Sequence, residues 1–173
     1  LNMLLSNVLL LYGSLIIPVG LMLRTAKVDR EMRYWLLFGA VVGVLYPLGE
    51  YFFAPMGWGQ HTITDLFILR TPANMVLLLL FAISFMGYIT KEAEIWQILL
   101  LAFTFTFVIE NFNAQAGFWT FNAQIRVWHV PLYILLSETL SLSVIRFFRR
   151  PLGAFLFAGF SGCMWFLLYL LVP

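Results

Sequence analysis

The chain has 173 residues, of which 62% are hydrophobic and only 10% charged, and its mean hydropathy is +0.94. Soluble domains average about 25% charged residues, so a soluble globule cannot hide this much apolar surface and lipid must be the solvent for much of it. A net charge of +2 does not suggest nucleic acid, and the single cysteine, Cys163, excludes an internal disulfide and any CxxC redox or thiolate-metal site.

Six apolar runs predict an all-α, polytopic membrane helical bundle, with spans at about 4–23, 34–53, 73–89, 95–110, 130–145 and 152–172. Six spans of about 20 residues leave only about fifty residues for loops, which makes 1–173 a single transmembrane domain. The first run is longer than a signal-peptide core and lacks a basic n-region, so it reads as a retained helix. A charged turn follows it, with Arg24, Lys27, Asp29, Arg30, Glu31 and Arg33. The second span contains Pro47 and Glu50, and a loop over 54–71 holds Trp58, His61, Asp65 and Arg70. Thr71-Pro72 reads as an N-cap followed by proline in the first helical position, opening the third span. A short turn around Lys91 leads to the fourth span, a polar and aromatic segment over 111–129 leads to the fifth, and Arg146, Arg149, Arg150 and Pro151 turn the chain into the sixth.

Eight of the ten Lys and Arg residues fall in the turns after spans one, three and five, leaving Arg70 and Arg126 on the other side. The positive-inside bias then predicts both termini and the loops 54–71 and 111–129 to be extracytoplasmic. The expected location is multi-pass in a bacterial or archaeal cytoplasmic membrane. Pro47-Leu48 with Glu50 and Pro131-Leu132 with Glu138 form a thin signal of an inverted repeat.

Three carboxylates, Glu50, Glu110 and Glu138, lie inside or at the ends of spans. At about 1.5 Å rise per residue, Glu50 and Glu110 fall about 24 and 22 Å from their cytoplasmic starts, and Glu138 about 12 Å from the outer end. All three therefore share the outer half of the bilayer core, where a carboxylate normally faces a cavity or a partner. A neutral Glu donates a proton and an ionised one accepts it, so a pair in different protonation states supplies both halves of general acid–base work. For Glu50 and Glu110, near helix ends, the competing reading is pairing with Arg70 or Arg126.

The segment from Asn111 to Asn122 alternates amides with aromatic rings, and Asn111, Asn113, Trp119 and Phe121 are the substrate-binding candidates. Such rings can wall a pocket and stabilise a cation, although an interfacial aromatic belt has the same composition. His61, Asp65 and His129 have the N and O donors for a metal but lack a fixing spacing, so no metal site is expected. Ser137, Ser141, Thr104 and Thr106 read as interhelical hydrogen-bonding groups. No P-loop or dinucleotide fingerprint is present, and no cofactor is expected.

The stretch Glu110…Gly117-Phe118-Trp119-Thr120-Phe121…Val130-Pro131…Glu138 resembles polytopic carotenoid enzymes, namely the small membrane lycopene cyclases and the related carotenoid hydratases. Those have an acid, a Gly-aromatic-x-aromatic turn and then a Pro-led helix. More distantly, the stretch is similar to small membrane terpene cyclases, which use helix-borne acids to protonate an isoprenoid. The resemblance covers 110–138 of the 173 residues. Where those lycopene cyclases carry Pro-x-Glu-Glu, this chain has Pro131-Leu132-Tyr133-Ile134 and its acid only at Glu138. The resemblance implies Glu110 and Glu138 as acid–base residues, Trp119 and Phe121 as pocket walls, and a contribution from Glu50.

The leading expectation is thus an enzyme performing cyclase-, isomerase- or hydratase-type acid–base chemistry on a membrane-dissolved isoprenoid or lipid. The alternative is a non-catalytic accessory subunit of a larger membrane complex, and a small transporter ranks third. Expected partners are membrane lipids, with either a hydrophobic small-molecule substrate or neighbouring membrane subunits, and no nucleic acid.

Overall fold

The computed structural model describes the backbone of residues 2–53, 59–61, 67–68, 71–121, 123–150 and 152–172; the side chains of 2–8, 10–11, 50, 53, 59–61, 67–68, 71–72, 74, 119 and 121 lie outside the described set. Among the described residues six α-helices form a bundle: α1 (Asn2–Ala26), α2 (Arg30–Phe53), α3 (Ala73–Ile89), α4 (Ile95–Gln115), α5 (Leu132–Val144) and α6 (Gly153–Leu171). A 3-10 turn, Ile145–Phe148, extends α5. Three of the helices contain segments long and apolar enough to cross a membrane, Arg30–Gly49, Ile95–Gln115 and Gly153–Leu171, while the apolar stretches Tyr12–Ala26 and Met75–Ile89 are shorter.

Short polar turns close one end of the bundle. Asp29 begins α2: its Oδ1 accepts from the backbone N–H of Glu31 at 2.8 Å and of Met32 at 3.4 Å, satisfying donors that a helix start leaves without partners. At the start of α4 the Glu94 N–H donates to the Gln97 side chain at 2.9 Å. The three charged turns meet there. The Tyr88 hydroxyl donates to Asp29 Oδ2 at 2.7 Å, Arg146 donates to the Ala93 carbonyl at 2.7 Å, and Arg149 pairs with Glu31.

Beneath this end lies the largest apolar cluster, built on Trp35, Phe38, Met86, Ile145 and Phe157. Its rings meet at tilted and edge-on angles, with centroids 5.1 Å apart for Trp35–Phe38 and 5.7 Å for Phe38–Phe157, geometries favoured by the aromatic quadrupole. Gly87 gives the Trp35 indole its space, since a Cβ at that position would overlap the ring. Gly39 and Gly43, one helical turn apart on α2, likewise let α3 approach; a Cβ on Gly39 would lie 2.8 Å from the Leu80 carbonyl oxygen. Small residues at such a contact let two helix backbones approach closely.

Among the described residues six two- or three-residue strands occur, four where loops were expected, and two, Thr71–Pro72 and Val130–Pro131, at the expected starts of the third and fifth helices. They follow in chain order: β1 (Gly59–His61), β2 (Phe67–Ile68), β3 (Thr71–Pro72), β4 (Trp119–Phe121), β5 (Arg126–Val127) and β6 (Val130–Pro131). β1 pairs antiparallel with β4, setting His61 opposite Trp119, so the segment after α2 is tied to the segment after α4. Pro72 belongs to β3 rather than to the first turn of α3, which corrects the expected Thr71 cap. α4 continues five residues beyond its expected end, to Gln115, and makes Asn111 and Asn113 helical.

Candidate functional site

A cavity of about 190 Å³ lies among α2, α3, α4, α5 and α6. Each helix contributes one face. The spacing is i, i+3, i+4, i+7 in Val42, Leu45, Tyr46 and Gly49 on α2, and again in Ala158, Ser161, Gly162 and Trp165 on α6. The polar contribution is concentrated on two neighbouring helices. Thr106 and Glu110 are one turn apart on α4, and Ser137, Glu138 and Ser141 face them from α5. The remaining walls are mainly apolar and aromatic, including Met75, Leu78, Phe105 and Phe157.

Glu110 is only 4% exposed and Glu138 is half-buried. Thr106 and Ser141 are each 2% exposed, and neither hydroxyl has a hydrogen-bond partner among the described residues. Such groups are costly to bury, on the order of 1–3 kcal/mol each when unsatisfied. Ser137 differs, because its hydroxyl donates to the carbonyl of Ile134 on its own helix at 3.1 Å. Thr104 is exposed. The expected interhelical bonds of Ser137, Ser141, Thr104 and Thr106 are therefore not seen among the described residues: Ser137 bonds back to its own helix, Thr106 and Ser141 have no hydrogen-bond partner there, and Thr104 is exposed.

Of the acids singled out in the sequence, Glu110 and Glu138 come together on this one cavity. Glu50 follows Gly49, a wall residue, but its side chain lies outside the described set, as do those of Trp119, Phe121 and His61. Asp65 and Arg70 lie outside the described residues altogether. Asn111 and Asn113 do not line the cavity. Asn111 is an anchor: its amide donates to the Phe107 carbonyl at 2.8 Å, and its Oδ1 accepts from the His129 N–H at 3.2 Å, holding the β5–β6 hairpin against α4. Asn113 is fully buried, and neither atom of its amide has a partner among the described residues. His129 is exposed, and among the described residues no three His, Cys, Asp or Glu side chains group as a metal site would require.

Tyr46, Ser161 and Trp165 are wall residues that sequence reasoning did not single out. The only signal for them is helical spacing, and on helices that are apolar all round spacing does not say which face turns inward. Comparison with protein-family models, with curated proteins and with solved structures gives no match, so the site is read from its own geometry.

Proposed function

We propose that this chain is a membrane enzyme that performs acid–base chemistry on a lipid dissolved in the bilayer, with Glu110 and Glu138 as its proton-transferring groups. The observation that carries the proposal is that two carboxylates from different helices line one cavity with otherwise mainly apolar walls. One carboxyl in its acid form protonates the substrate, and the other, ionised, takes a proton from the resulting cationic carbon skeleton. Such positioned transfer contributes typically about 10²–10⁴-fold to a rate. Phe105, Phe157 and Trp165 supply ring faces able to attract developing positive charge. An isoprenoid substrate is supported by the resemblance of residues 110–138 to polytopic carotenoid and terpene cyclases.

The same proposal takes all six helices as crossing the bilayer of a bacterial or archaeal cytoplasmic membrane, with both termini extracytoplasmic. The 13 residues of α5 rise only about 20 Å. The 3-10 turn of four residues adds about 8 Å, which brings the pair close to a hydrocarbon core of about 30 Å. The basic turns at one end support the orientation through the positive-inside bias.

The test is turnover of a polyprenyl substrate in proteoliposomes by Glu138→Gln, Glu110→Gln and the double variant. Loss in either single variant supports the reading, and full turnover in all three overturns it.

A second reading has its own observation. Only 6% of the α6 span is buried within the protein, with Phe155, Leu156, Leu167 and Leu170 exposed. That face suits lipid, and it equally suits a neighbouring chain, which would make this protein an accessory subunit. A stable, partner-free species after extraction in mild detergent counts against that reading.

A further inference from the structure

The two carboxyl-bearing wall residues differ in access. Residues three and four apart share a helix face. On the face of Glu138, Ile134, Leu135, Ser141 and Leu142 are all buried, whereas Glu138 between them is only half-buried and lines the cavity. That face of α5 is turned inward, so what Glu138 exposes it exposes to the cavity. Glu110, at 4%, is nearly closed off.

The seams between the wall helices differ as well. Gly39 and Gly43 hold α2 close to α3. Phe105 of α4 fills the approach to α3, its ring centroid 6.0 Å from Phe81 and 6.3 Å from Phe85. Trp165 of α6 lies edge-on to Tyr133 of α5 at 5.5 Å. The seam between α2 and α6 changes along its length. At the charged end Phe38 meets Phe157, and a Cβ on Gly153 would lie 3.5 Å from the Phe38 ring. Further along, the two helices turn to different neighbours: Tyr46 of α2 packs with Leu15 and Met75 on α1 and α3, and Trp165 of α6 packs with α5. There Gly49 of α2 and Gly162 of α6 both line the cavity, and a Cβ on either would meet no described atom within 4 Å. Both glycines also border the outer surface, since Leu48, Gly159 and Cys163 are exposed. Size gives a reason for an opening. An apolar cavity of about 150 Å³ holds a molecule such as benzene, so about 190 Å³ admits only a ring-sized length of a lipid chain.

We infer that a lipid reaches Glu138 from within the bilayer, through an opening between α2 and α6 framed by Gly49 and Gly162, and that the rest of its chain lies in that opening. The inference rests on reading the protein as a membrane enzyme with a lipid-substrate site, and it adds the route and two residues that set access.

Dicyclohexylcarbodiimide, an apolar carboxyl reagent that partitions into lipid, tests the route without turnover. The acid form of a carboxyl adds across one C=N bond of the reagent, its proton to nitrogen and its oxygen to the central carbon. The acyl group then shifts to nitrogen and leaves a stable adduct that mass spectrometry maps. In proteoliposomes at mildly acidic pH, Glu138 is expected to carry the adduct and Glu110 little of it, while a water-soluble cationic carbodiimide leaves Glu138 unmodified. Gly162→Phe and Gly49→Phe, each with open space at its Cβ, are expected to keep their Tm and lose most of the Glu138 adduct. Gly159→Phe, equally open but exposed and off the cavity wall, is expected to keep it. If one of the two wall variants misfolds, the other carries the test. No labelling by the apolar reagent, an adduct chiefly on Glu110, or labelling of Glu138 by the water-soluble reagent each overturns the inference. So does full labelling in a folded wall variant, or an equal loss in Gly159→Phe. Turnover separates this from the proton-transfer proposal. Lost turnover in Glu138→Gln with Glu138 labelled from water removes only the route, and labelling through the opening with turnover intact in the Glu variants removes only the chemistry.

Discussion

The charged end of the bundle and the cavity treat polar groups in opposite ways. At the charged end Asp29, Glu31, Arg33, Tyr88, Arg146 and Arg149 are committed to structural contacts. Asp29 caps α2 and receives the Tyr88 hydroxyl, Glu31 takes both the Trp35 indole N–H, at 3.0 Å, and Arg149, and Arg146 holds the Ala93 carbonyl. On the cavity wall Thr106 and Ser141 are buried without hydrogen-bond partners among the described residues, on the helices that carry Glu110 and Glu138. Native proteins hydrogen-bond the large majority of their buried polar atoms. The committed groups hold the turns together, whereas the Thr106 and Ser141 hydroxyls make no such bond among the described residues.

The contrast breaks most visibly at the carboxylates. Glu138→Gln is expected to cut turnover of a polyprenyl substrate by about 10²-fold or more, measured in proteoliposomes, with little change in thermal stability. A stability loss equal to that of a core variant would put Glu138 with the structural groups instead.

Next in size is the apolar floor of the charged end. Gly87→Ala drives a methyl into the Trp35 ring, and overpacking of this kind costs typically about 1–3 kcal/mol. Thermal unfolding in detergent should register a clear drop in Tm. An unchanged Tm would mean that α2 and α3 separate freely at that point.

Glu31→Gln removes the ion pair with Arg149 while keeping a hydrogen-bond acceptor for Trp35. Arg149 is mostly exposed, so the expected loss is about 1 kcal/mol or less, and added salt should shrink it.

Tyr88→Phe tests the Asp29 contact through pH. The Tyr88 hydroxyl, together with the backbone N–H of Glu31, holds the Asp29 carboxyl below its ordinary value. A lowered folded-state value means that this stabilisation is present above the unfolded-state value, about 3.9, and is lost as pH falls below it. The variant should therefore lose part of the acid-dependent fall in Tm, leaving a flatter profile at low pH. An identical profile would remove Asp29 from the structural set.

The smallest effect is the most diagnostic. Thr106→Val replaces an unpartnered hydroxyl with a methyl of similar shape, and the protein should be equally stable or slightly more so, since no hydrogen bond is lost. A marked fall in Tm would show that Thr106 has structural work after all, and the two regions would differ less than their contacts indicate.

Much of the architecture was legible because its causes are local. An apolar run long enough to span a bilayer is visible in composition, and all six expected runs correspond to helices, with ends shifted by a few residues. The extension of α4 to Gln115 was missed because Asn111, Asn113 and Gln115 have the composition of a loop; burial and the Asn111 clamp on the β5–β6 hairpin override that preference. The β1–β4 pairing was not legible either. Its partners lie about sixty residues apart, and three-residue strands leave no periodic trace. Within the site, Glu110 and Glu138 stood out because a carboxylate in an apolar run is rare. Thr106 and Ser141 were read as interhelical hydrogen-bonding groups, a bond neither makes among the described residues, and Tyr46, Ser161 and Trp165 were missed because hydroxyls and rings are ordinary in apolar helices.

What the sequence determined by itself, then, is the helical segments, their apolar character and the fact that carboxylates lie within them, since each follows from the side chains of one segment. Which helix faces meet was decided only by tertiary packing. Gly39 and Gly43 bring α3 against α2, α5 settles between α4 and α6, and the cavity is what those five helices leave unfilled. The pairing of polar groups at the charged end and the burial of Thr106 and Ser141 at the cavity depend on neighbours distant in the chain. A helix whose surface is apolar all round carries no mark of which neighbours those will be.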